Sequence, residues 1–250
     1  MILRARSVVP IKGDPIPDGA VAIEGDAIAG VGRFAEVRSQ YAGDVLDLGE
    51  RVLLPGLINA HCHLDYTVLR RTIPPQPSFA EWIRAINAEK AGLTDDDYIA
   101  SIQAGFIEAR AFGTTTIANL TALPKLVGAM KSPVRTWWFG ELIDVRNPEE
   151  AGRIANEAAE ALSASEHWGL APHAPYTASP RLYARCEEIA QNHGSLLTTH
   201  LAESREEMEM FRDGSGRVFD FLRNIGRPMD DCGRETPVAR FIRTRQLHDR

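Results

Sequence analysis

Residues 54–67, LPGLINAHCHLDYT, place two histidines one residue apart at the end of an apolar run. Residues two apart in a β-strand point to the same face, so we expect His61 and His63 to face one way and Cys62 the other. One metal ion could then reach both rings, because imidazole nitrogen binds zinc at about 2.0–2.1 Å. The stretch predicts a buried strand that ends in two metal ligands. The alternative is that the two histidines are unrelated residues beside a surface loop, which would give the same sequence pattern.

The whole chain has the composition of an ordinary globular protein. Its 250 residues are 44% apolar and 25% charged, which suffices for one large domain and a small one. The net charge of −6 comes without a basic run, which disfavours nucleic acid and membrane surfaces and leaves a small-molecule substrate open. We find no signal peptide and no run near the roughly 18 apolar residues of a membrane span. Three cysteines without a Cys-x-x-Cys pair predict a reduced, cytoplasmic protein.

The pattern of predicted secondary structure changes near residue 53. Residues 1–53 consist of short strand patterns broken by Gly-Asp-Pro and Pro-Asp-Gly turns, typical of a small β unit. Residues 54–250 alternate apolar runs with amphipathic helical stretches, as βα units around a parallel sheet do. The predicted strands cover residues 52–63, 114–121, 134–143, 167–174 and 195–203. Their nearly continuous apolar character favours a (β/α) barrel over an open sheet, a choice that periodicity alone leaves open.

Capping residues predict where the helices begin and end. Ser78 followed by Glu81 is a capping-box pattern, and Thr94 is placed to begin a second helix. Ser179, followed by a proline, begins a third, which should end at Gly194.

The other histidines divide into two groups. His173 and His200 also stand at the carboxyl ends of predicted strands, the face on which barrel enzymes carry their chemistry. We expect surface or capping roles for His167, His193 and His248, because none of them follows a predicted strand.

A competing motif shares the letters HCHLDY. The metallo-β-lactamase-like hydrolases carry His-x-His-x-Asp followed by one more histidine, and this chain has Tyr66 at that position. Their next histidine ligand comes tens of residues later, whereas no histidine lies between His63 and His167. Both differences disfavour that family.

Four blocks, taken in order, resemble the amidohydrolase superfamily: LPGLINAHCHLD, AFGTTTIANLT, LAPHAPYTASP and TTHLAES. They are similar to its deaminase-like branch, which includes the adenosylhomocysteine/methylthioadenosine, guanine, cytosine and aminodeoxyfutalosine deaminases. The resemblance implies an α/β fold, a (β/α)8 TIM barrel of the amidohydrolase type, of which about five strands are present. It assigns residues 1–53 to a small β-sandwich domain and residues 54–250 to the N-terminal part of the barrel.

The same resemblance implies a set of site residues. His61, His63 and His200 would bind one divalent metal ion, zinc, and Glu203 would move protons as the catalytic residue. His173 would contact the substrate. Branches with two metals bridged by a lysine carry that lysine at the strand position of His173, so the resemblance implies a single ion.

Some of these residues could instead have a purely structural role. Glu203 could merely favour the helix that begins after Ser204, an effect of about 0.3–1 kcal/mol. Trp82 lies where related deaminases place an aromatic residue beside the substrate, but a core tryptophan fits the pattern too. Asp65, two residues after His63, would face the same way as the histidines in a strand, but it lies beyond the strand end and is interpreted as a residue that fixes the following loop. RTWWFGELIDV offers no counterpart of the arginines that hold substrate carboxylates in some relatives.

Two further residues of the family pattern, a histidine on the sixth strand and an aspartate on the eighth, are not found. The final stretch, residues 233–250, resembles the helix that leads into the sixth strand. We therefore expect the 250 residues to be a fragment of a longer chain.

Three functions remain open at this point. The first is hydrolytic deamination of an aromatic amine in a nucleobase-like ring; the second is ring-amide or triazine hydrolysis by a related enzyme. The third is a catalytically incomplete chain that binds metal or a partner without turnover. The resemblance also implies a homodimer.

Overall fold

The structure is a computed structural model that describes residues 1–246. Contacts divide the chain into two compact units, Met1–Leu57 and a second that begins at Ile58. The assignment of residues 1–53 and 54–250 to a sandwich domain and a barrel domain stays a prediction. No helix in the described part of the chain is both long and apolar enough to cross a membrane.

The first unit is a five-stranded sheet with one helix. Its elements are β1 (Ile2–Val8), β2 (Ile16–Glu24), β3 (Ala27–Arg33), α1 (Phe34–Gln40), β4 (Val45–Asp47) and β5 (Val52–Leu53). The strand order is β3-β2-β1-β4, and β5 also pairs with β1. The hairpins β1–β2 and β2–β3 are antiparallel, whereas β4 and β5 run parallel to β1. Ile2, Ala20 and Ala22 of the sheet pack against Val37 of α1.

The second unit has the alternating βα organisation that the sequence predicts. Its elements are β6 (Leu57–Cys62), α2 (Phe79–Lys90), α3 (Asp95–Ala111), β7 (Thr114–Thr121), β8 (Arg135–Leu142), α4 (Ala151–Leu162), β9 (Trp168–Pro172), α5 (Pro180–His193), β10 (Leu196–Leu197), α6 (Arg205–Asp213), α7 (Arg217–Asn224) and α8 (Pro237–Gln246). The strands form one sheet in the order β10-β9-β8-β7-β6, and the pairings from β7 to β10 are parallel. Spatial order thus follows chain order, as in the wall of a (β/α) barrel.

The predicted helix starts are present, but the capping box predicted at Ser78 is only half formed, because the carboxylate of Glu81 accepts from Arg84 and not from the Ser78 amide. The side chains of Ser78 and Ser179 accept hydrogen bonds from the third residue of α2 and α5, and α5 ends at Gly194 in a left-handed conformation. Thr94 forms a full capping box with Asp97 at the start of α3.

Side chains alternate between the two faces of the barrel-type sheet. Ile117 and Leu170 lie on the face that packs against helices α3, α4 and α5. Phe139 and Ala171 lie on the opposite face in a separate cluster. That second face corresponds to a barrel interior, and its carboxyl edge is where the histidines stand.

Two strand predictions need correction. The run over residues 52–63 is broken at Pro55, because proline cannot donate to a strand ladder, and its two parts join different sheets. The expectation that the strand before His61 is buried is wrong: Leu57 and Ile58 are 51% and 72% exposed. The reason is that, within residues 1–246, β6 lies at the edge of the sheet and has a neighbouring strand on one side only.

The predicted strand over residues 195–203 is much shorter in the structure. Only Leu196–Leu197 is a strand, paired with β9. Backbone bonds from Thr198 to Leu170 and from His200 to His173 continue the contact past the strand end.

The two faces of α3 provide a stability prediction. Ile102 is fully buried, whereas Ile107 on the same helix is 71% exposed. Ile102→Ala should lower the free energy of unfolding by about 2–5 kcal/mol, because it removes packed methylene groups and leaves a cavity. Ile107→Ala should change it by less than about 0.5 kcal/mol. Urea unfolding of both variants measures the difference, and equal losses would contradict this assignment of the core.

Candidate active site

Three imidazoles meet at the carboxyl edge of the sheet. His61 lies in β6, His63 just after it, and His200 follows β10. The Nε2 atom of His200 is 3.1 Å from Nε2 of His61 and 3.2 Å from Nε2 of His63. Nitrogens bound to one tetrahedral zinc ion at about 2.0–2.1 Å would be separated by about 3.4 Å. The donor set and its spacing therefore fit a single divalent metal ion.

The protonation of the rings agrees with this fit. Burial, and next the charge of His200, lowers the pKa of His63 to about 3. The same two causes lower the pKa of His61. Both rings are therefore neutral near pH 7, the form of imidazole that binds metal.

Hydrogen bonds determine the tautomer of His200. Its Nδ1 lies 3.1 Å from the carbonyl oxygen of His173, which can only accept, so Nδ1 carries the hydrogen. The lone pair of its Nε2 therefore points at the other two histidines. His173 follows β9, and its own Nδ1 contacts the Thr177 hydroxyl at 2.6 Å. Burial lowers the pKa of His173 to about 3, so this ring is also neutral.

Glu203 lies beside the histidines rather than within a helix. It precedes α6, whose N-cap is Ser204, and its carboxylate accepts a 2.7 Å hydrogen bond from the Tyr176 hydroxyl. The carboxylate of Glu207 accepts from the backbone amide of Glu203 at 2.6 Å and holds the turn. Glu203 lines the same cavity as the histidines, and its catalytic role stays a prediction.

A cavity of about 570 Å³ contains the histidines and Glu203, within the range of about 300–1,000 Å³ usual for small-molecule sites. Trp82 lines it together with His173. Because Trp82 is 40% exposed, it is not a core residue. Its ring stacks on Phe79 with a centroid distance of 5.6 Å, which gives the cavity an aromatic wall.

Polar residues that the sequence reading did not single out also line the cavity. Glu141 at the end of β8 is buried, and this burial raises its pKa to about 7 although the charge of Lys90 opposes the shift. Lys90, on α2, donates to the Tyr66 hydroxyl at 2.9 Å. Strand parity could have indicated Glu141, because it lies two residues after Phe139 on the inward face. Nothing in the sequence indicates that α2 brings Lys90 to the same place.

The residues interpreted as bystanders lie apart from the imidazole cluster. Asp65 is buried, and its carboxylate accepts from the Thr121 hydroxyl at 3.0 Å and from the Ala122 amide at 2.9 Å. It therefore fixes the loop after β6, as predicted. Cys62 points the opposite way to the histidines, with its sulfur 3.6 Å from the Ala118 carbonyl.

The remaining histidines lie elsewhere. His167 stacks on Trp137 with a centroid distance of 4.2 Å, and His193 is exposed at the end of α5. His248 lies outside the described residues.

The comparison with protein families agrees with this geometry. The model of the amidohydrolase family matches residues 52–227. The chain belongs to this family. The metallo-β-lactamase-like alternative is thereby wrong, and Tyr66 contacts Lys90 in place of the further histidine of that motif.

Known amidohydrolase-type proteins are similar over most of the chain. It is 34% identical to 5-methylthioadenosine/S-adenosylhomocysteine deaminase of Syntrophobacter fumaroxidans over 80% of this chain and 48% of the relative. It is 29% identical to aminodeoxyfutalosine deaminase of Deinococcus radiodurans, over 81% and 49% respectively. The chain thus spans about half the length of the curated relatives that it matches.

Solved structures show the same fold. The aminofutalosine deaminase of Helicobacter pylori in complex with methylthio-coformycin superposes with a TM-score of 0.84 at 21% identity, covering 97% of this chain and 61% of that one. The atrazine chlorohydrolase of Arthrobacter aurescens complexed with zinc gives a TM-score of 0.70 at 18% identity, covering 90% and 58%. At these identities the likeness shows the amidohydrolase fold alone.

The buried carboxyl of Glu207 predicts a pH dependence of stability. Burial is the main cause that raises its pKa from 4.5 to about 7. The folded state therefore keeps a proton that the unfolded state releases, and this stabilisation is lost as the pH rises through 7. We expect the free energy of unfolding of the wild type, relative to Glu207→Gln, to fall between about pH 4.5 and 7. Urea unfolding over this range tests it, and a flat or rising difference would contradict it.

Proposed function

We propose that this chain carries the metal centre of an aminohydrolase that removes ammonia from an aromatic amine, such as the ring of a nucleoside-like substrate. The observation that carries the proposal is the convergence of three imidazoles in one cavity with the carboxylate of Glu203: Nε2 of His200 lies 3.1 Å from Nε2 of His61 and 3.2 Å from Nε2 of His63. The names of the relatives in Syntrophobacter fumaroxidans and Deinococcus radiodurans support a deaminase with a nucleoside-like substrate.

His61, His63 and His200 would hold one divalent ion, and the all-imidazole donor set favours zinc. Such an ion supplies a Lewis acid that lowers the pKa of water from about 15.7 to about 7. A single ion is proposed, because three histidines already provide a complete set of protein ligands for a catalytic zinc site.

Glu203 would move the protons. In the net reaction water adds its oxygen to the ring carbon, the carbon–nitrogen bond breaks, and ammonia leaves. The carboxylate of Glu203 takes the proton from the water and delivers it to the departing amine. The Tyr176 hydroxyl fixes this carboxylate by donating to it at 2.7 Å, and Glu207 fixes its backbone.

The cavity wall supports a flat, polar substrate. Trp82 would stack on an aromatic ring, since it is half exposed and already stacks on Phe79. The Thr177 hydroxyl donates to the Ala174 carbonyl, so it accepts from Nδ1 of His173. Nε2 of His173 then keeps a lone pair with which it would accept a hydrogen bond from the substrate.

Three further proposals concern the whole protein. Residues 1–53 would form the small β-sandwich domain and residues 54–250 part of the barrel. A reduced, cytoplasmic compartment is proposed on the cysteine spacing, because the chain has three cysteines and no Cys-x-x-Cys pair. A homodimer is proposed on the family resemblance.

Ammonia release tests the reaction class. We expect the zinc-loaded protein to release ammonia from at least one member of a panel of aminopurine nucleosides, guanine and cytosine. A coupled ammonia assay measures it, with metal-free protein as the control. Hydrolysis of a ring amide or a chlorotriazine without ammonia release would contradict the deaminase proposal. Zinc binding without turnover of any compound would favour the non-catalytic alternative.

Histidine substitutions test the metal centre. His61→Ala and His200→Ala should each abolish stoichiometric zinc, because each removes one of three ligands. His193→Ala is the matched control and should keep it, since His193 is exposed at the end of α5. Metal analysis of the purified variants measures the content. Full zinc in His200→Ala would refute the ligand set.

Glu203→Gln separates proton transfer from metal binding. It should keep zinc and lower kcat/KM by about 10²–10⁴-fold, the usual contribution of a general acid–base group. Paired metal analysis and kinetics measure both, and unchanged turnover would show that Glu203 only borders the cavity.

A further inference from the structure

Two buried polar atoms face each other behind the histidine cluster. Nδ1 of His63 and Oε1 of Glu141 are both inaccessible and have no hydrogen-bond partner among the described residues. They are 3.8 Å apart. Buried polar groups in folded proteins are nearly always paired, so two unpaired atoms at this separation indicate an interaction that a small shift would complete.

The tautomer of His63 determines which of the two atoms donates the hydrogen bond. If Nε2 of His63 is to offer a lone pair, the hydrogen of the neutral ring must be on Nδ1. Nδ1 then becomes a buried donor that needs an acceptor. The carboxylate oxygen of Glu141 is the acceptor that stands opposite it.

His200 does not need the same partner. Oε1 of Glu141 lies 3.9 Å from its Nδ1, but that nitrogen is already 3.1 Å from the carbonyl oxygen of His173. A backbone carbonyl thus determines the tautomer of His200, whereas in residues 1–246 the unpaired carboxylate oxygen of Glu141 faces Nδ1 of His63 and can determine the tautomer of that ring.

The surroundings hold both partners in place. The ring of His63 lies between two others, stacked on Tyr66 at 5.5 Å and on His200 at 5.3 Å between centroids. Its plane is therefore fixed, and the position of its hydrogen is what remains to be determined. The side chain of Glu141 is 6% exposed, so the surrounding side chains leave its carboxylate little room to move.

We infer that Glu141 is a positioning residue, which accepts the Nδ1 hydrogen of His63 and so holds the Nε2 lone pair toward the metal. The inference rests on the proposed metal centre and adds a residue to it. Carboxylates that accept from the second nitrogen of a metal-binding histidine typically change metal affinity by about 10–100-fold.

Zinc affinity tests the role, measured by competition with a chromophoric chelator. Glu141→Ala should weaken zinc binding by about 10–100-fold. Glu141→Gln should lie closer to the wild type, because its amide oxygen can still accept. Asp144→Ala is the matched control: Asp144 is also a buried carboxylate, but its two oxygens accept from the Ser179 amide and hydroxyl and not from an imidazole. Its zinc affinity should equal that of the wild type.

The tautomer itself is a second readout that does not require metal. Long-range ¹H–¹⁵N spectra of the metal-free protein should show the His63 hydrogen on Nδ1 in the wild type and in Glu141→Gln. In Glu141→Ala it should shift toward Nε2.

The outcomes separate this inference from the proposed function. A wild type that binds no zinc would contradict the metal centre itself. Wild-type zinc affinity in Glu141→Ala would overturn only the role of Glu141, as would an unchanged tautomer of His63. An equal loss of zinc in Asp144→Ala would also overturn it, because any buried carboxylate would then have the same effect.

Discussion

Two backbone hydrogen bonds beyond the ends of the strands hold the site together. The amide of His173 donates to the carbonyl of Leu142 at 2.9 Å, and the amide of His200 donates to the carbonyl of His173 at 2.7 Å. This short ladder extends the parallel pairing of β8 and β9 to His200, although β10 itself has only two residues. The position of the His200 ring, and with it the convergence of the three Nε2 atoms, depends on these bonds.

The second constraint is the burial of polar groups at that edge. Low exposure keeps the rings of His63 and His173 neutral, which leaves lone pairs for a metal or a substrate. It also puts carboxyl groups such as Glu141 where each needs a specific partner. Nδ1 of His200 donates to the backbone carbonyl of His173, and Nε2 of the same ring faces Nε2 of His61. A metal-binding arrangement follows from ordinary hydrogen-bond pairing in a poorly solvated cavity.

Much of this site could be predicted from the sequence, because the relevant signals are local. Strand parity places His61 and His63 on one face, and position after an apolar run places His173 and His200 at the same edge. The caps at Ser78, Thr94 and Ser179 likewise depend only on neighbouring residues. Pro55 is also a local signal, and it marks the end of a strand. The apolar residues on both sides of it nevertheless lead to the prediction of one continuous strand.

Other features depend on contacts that no local pattern encodes. The exposure of β6 follows from its place at the sheet edge, and β10, with two residues, pairs with β9 alone in the described part of the chain. Lys90 reaches the cavity because α2 lies beside it, and Glu141 matters because of what stands opposite its carboxylate. A glutamate within an apolar strand can be noted from the sequence, but its partner only from the structure.

The most direct test of this account is the anomalous diffraction of a crystal of the zinc-loaded protein, recorded on both sides of the zinc absorption edge. The account predicts one strong peak within about 2.0–2.1 Å of the Nε2 atoms of His61, His63 and His200. A zinc peak at another place in the chain, with these three nitrogens unoccupied, would contradict it.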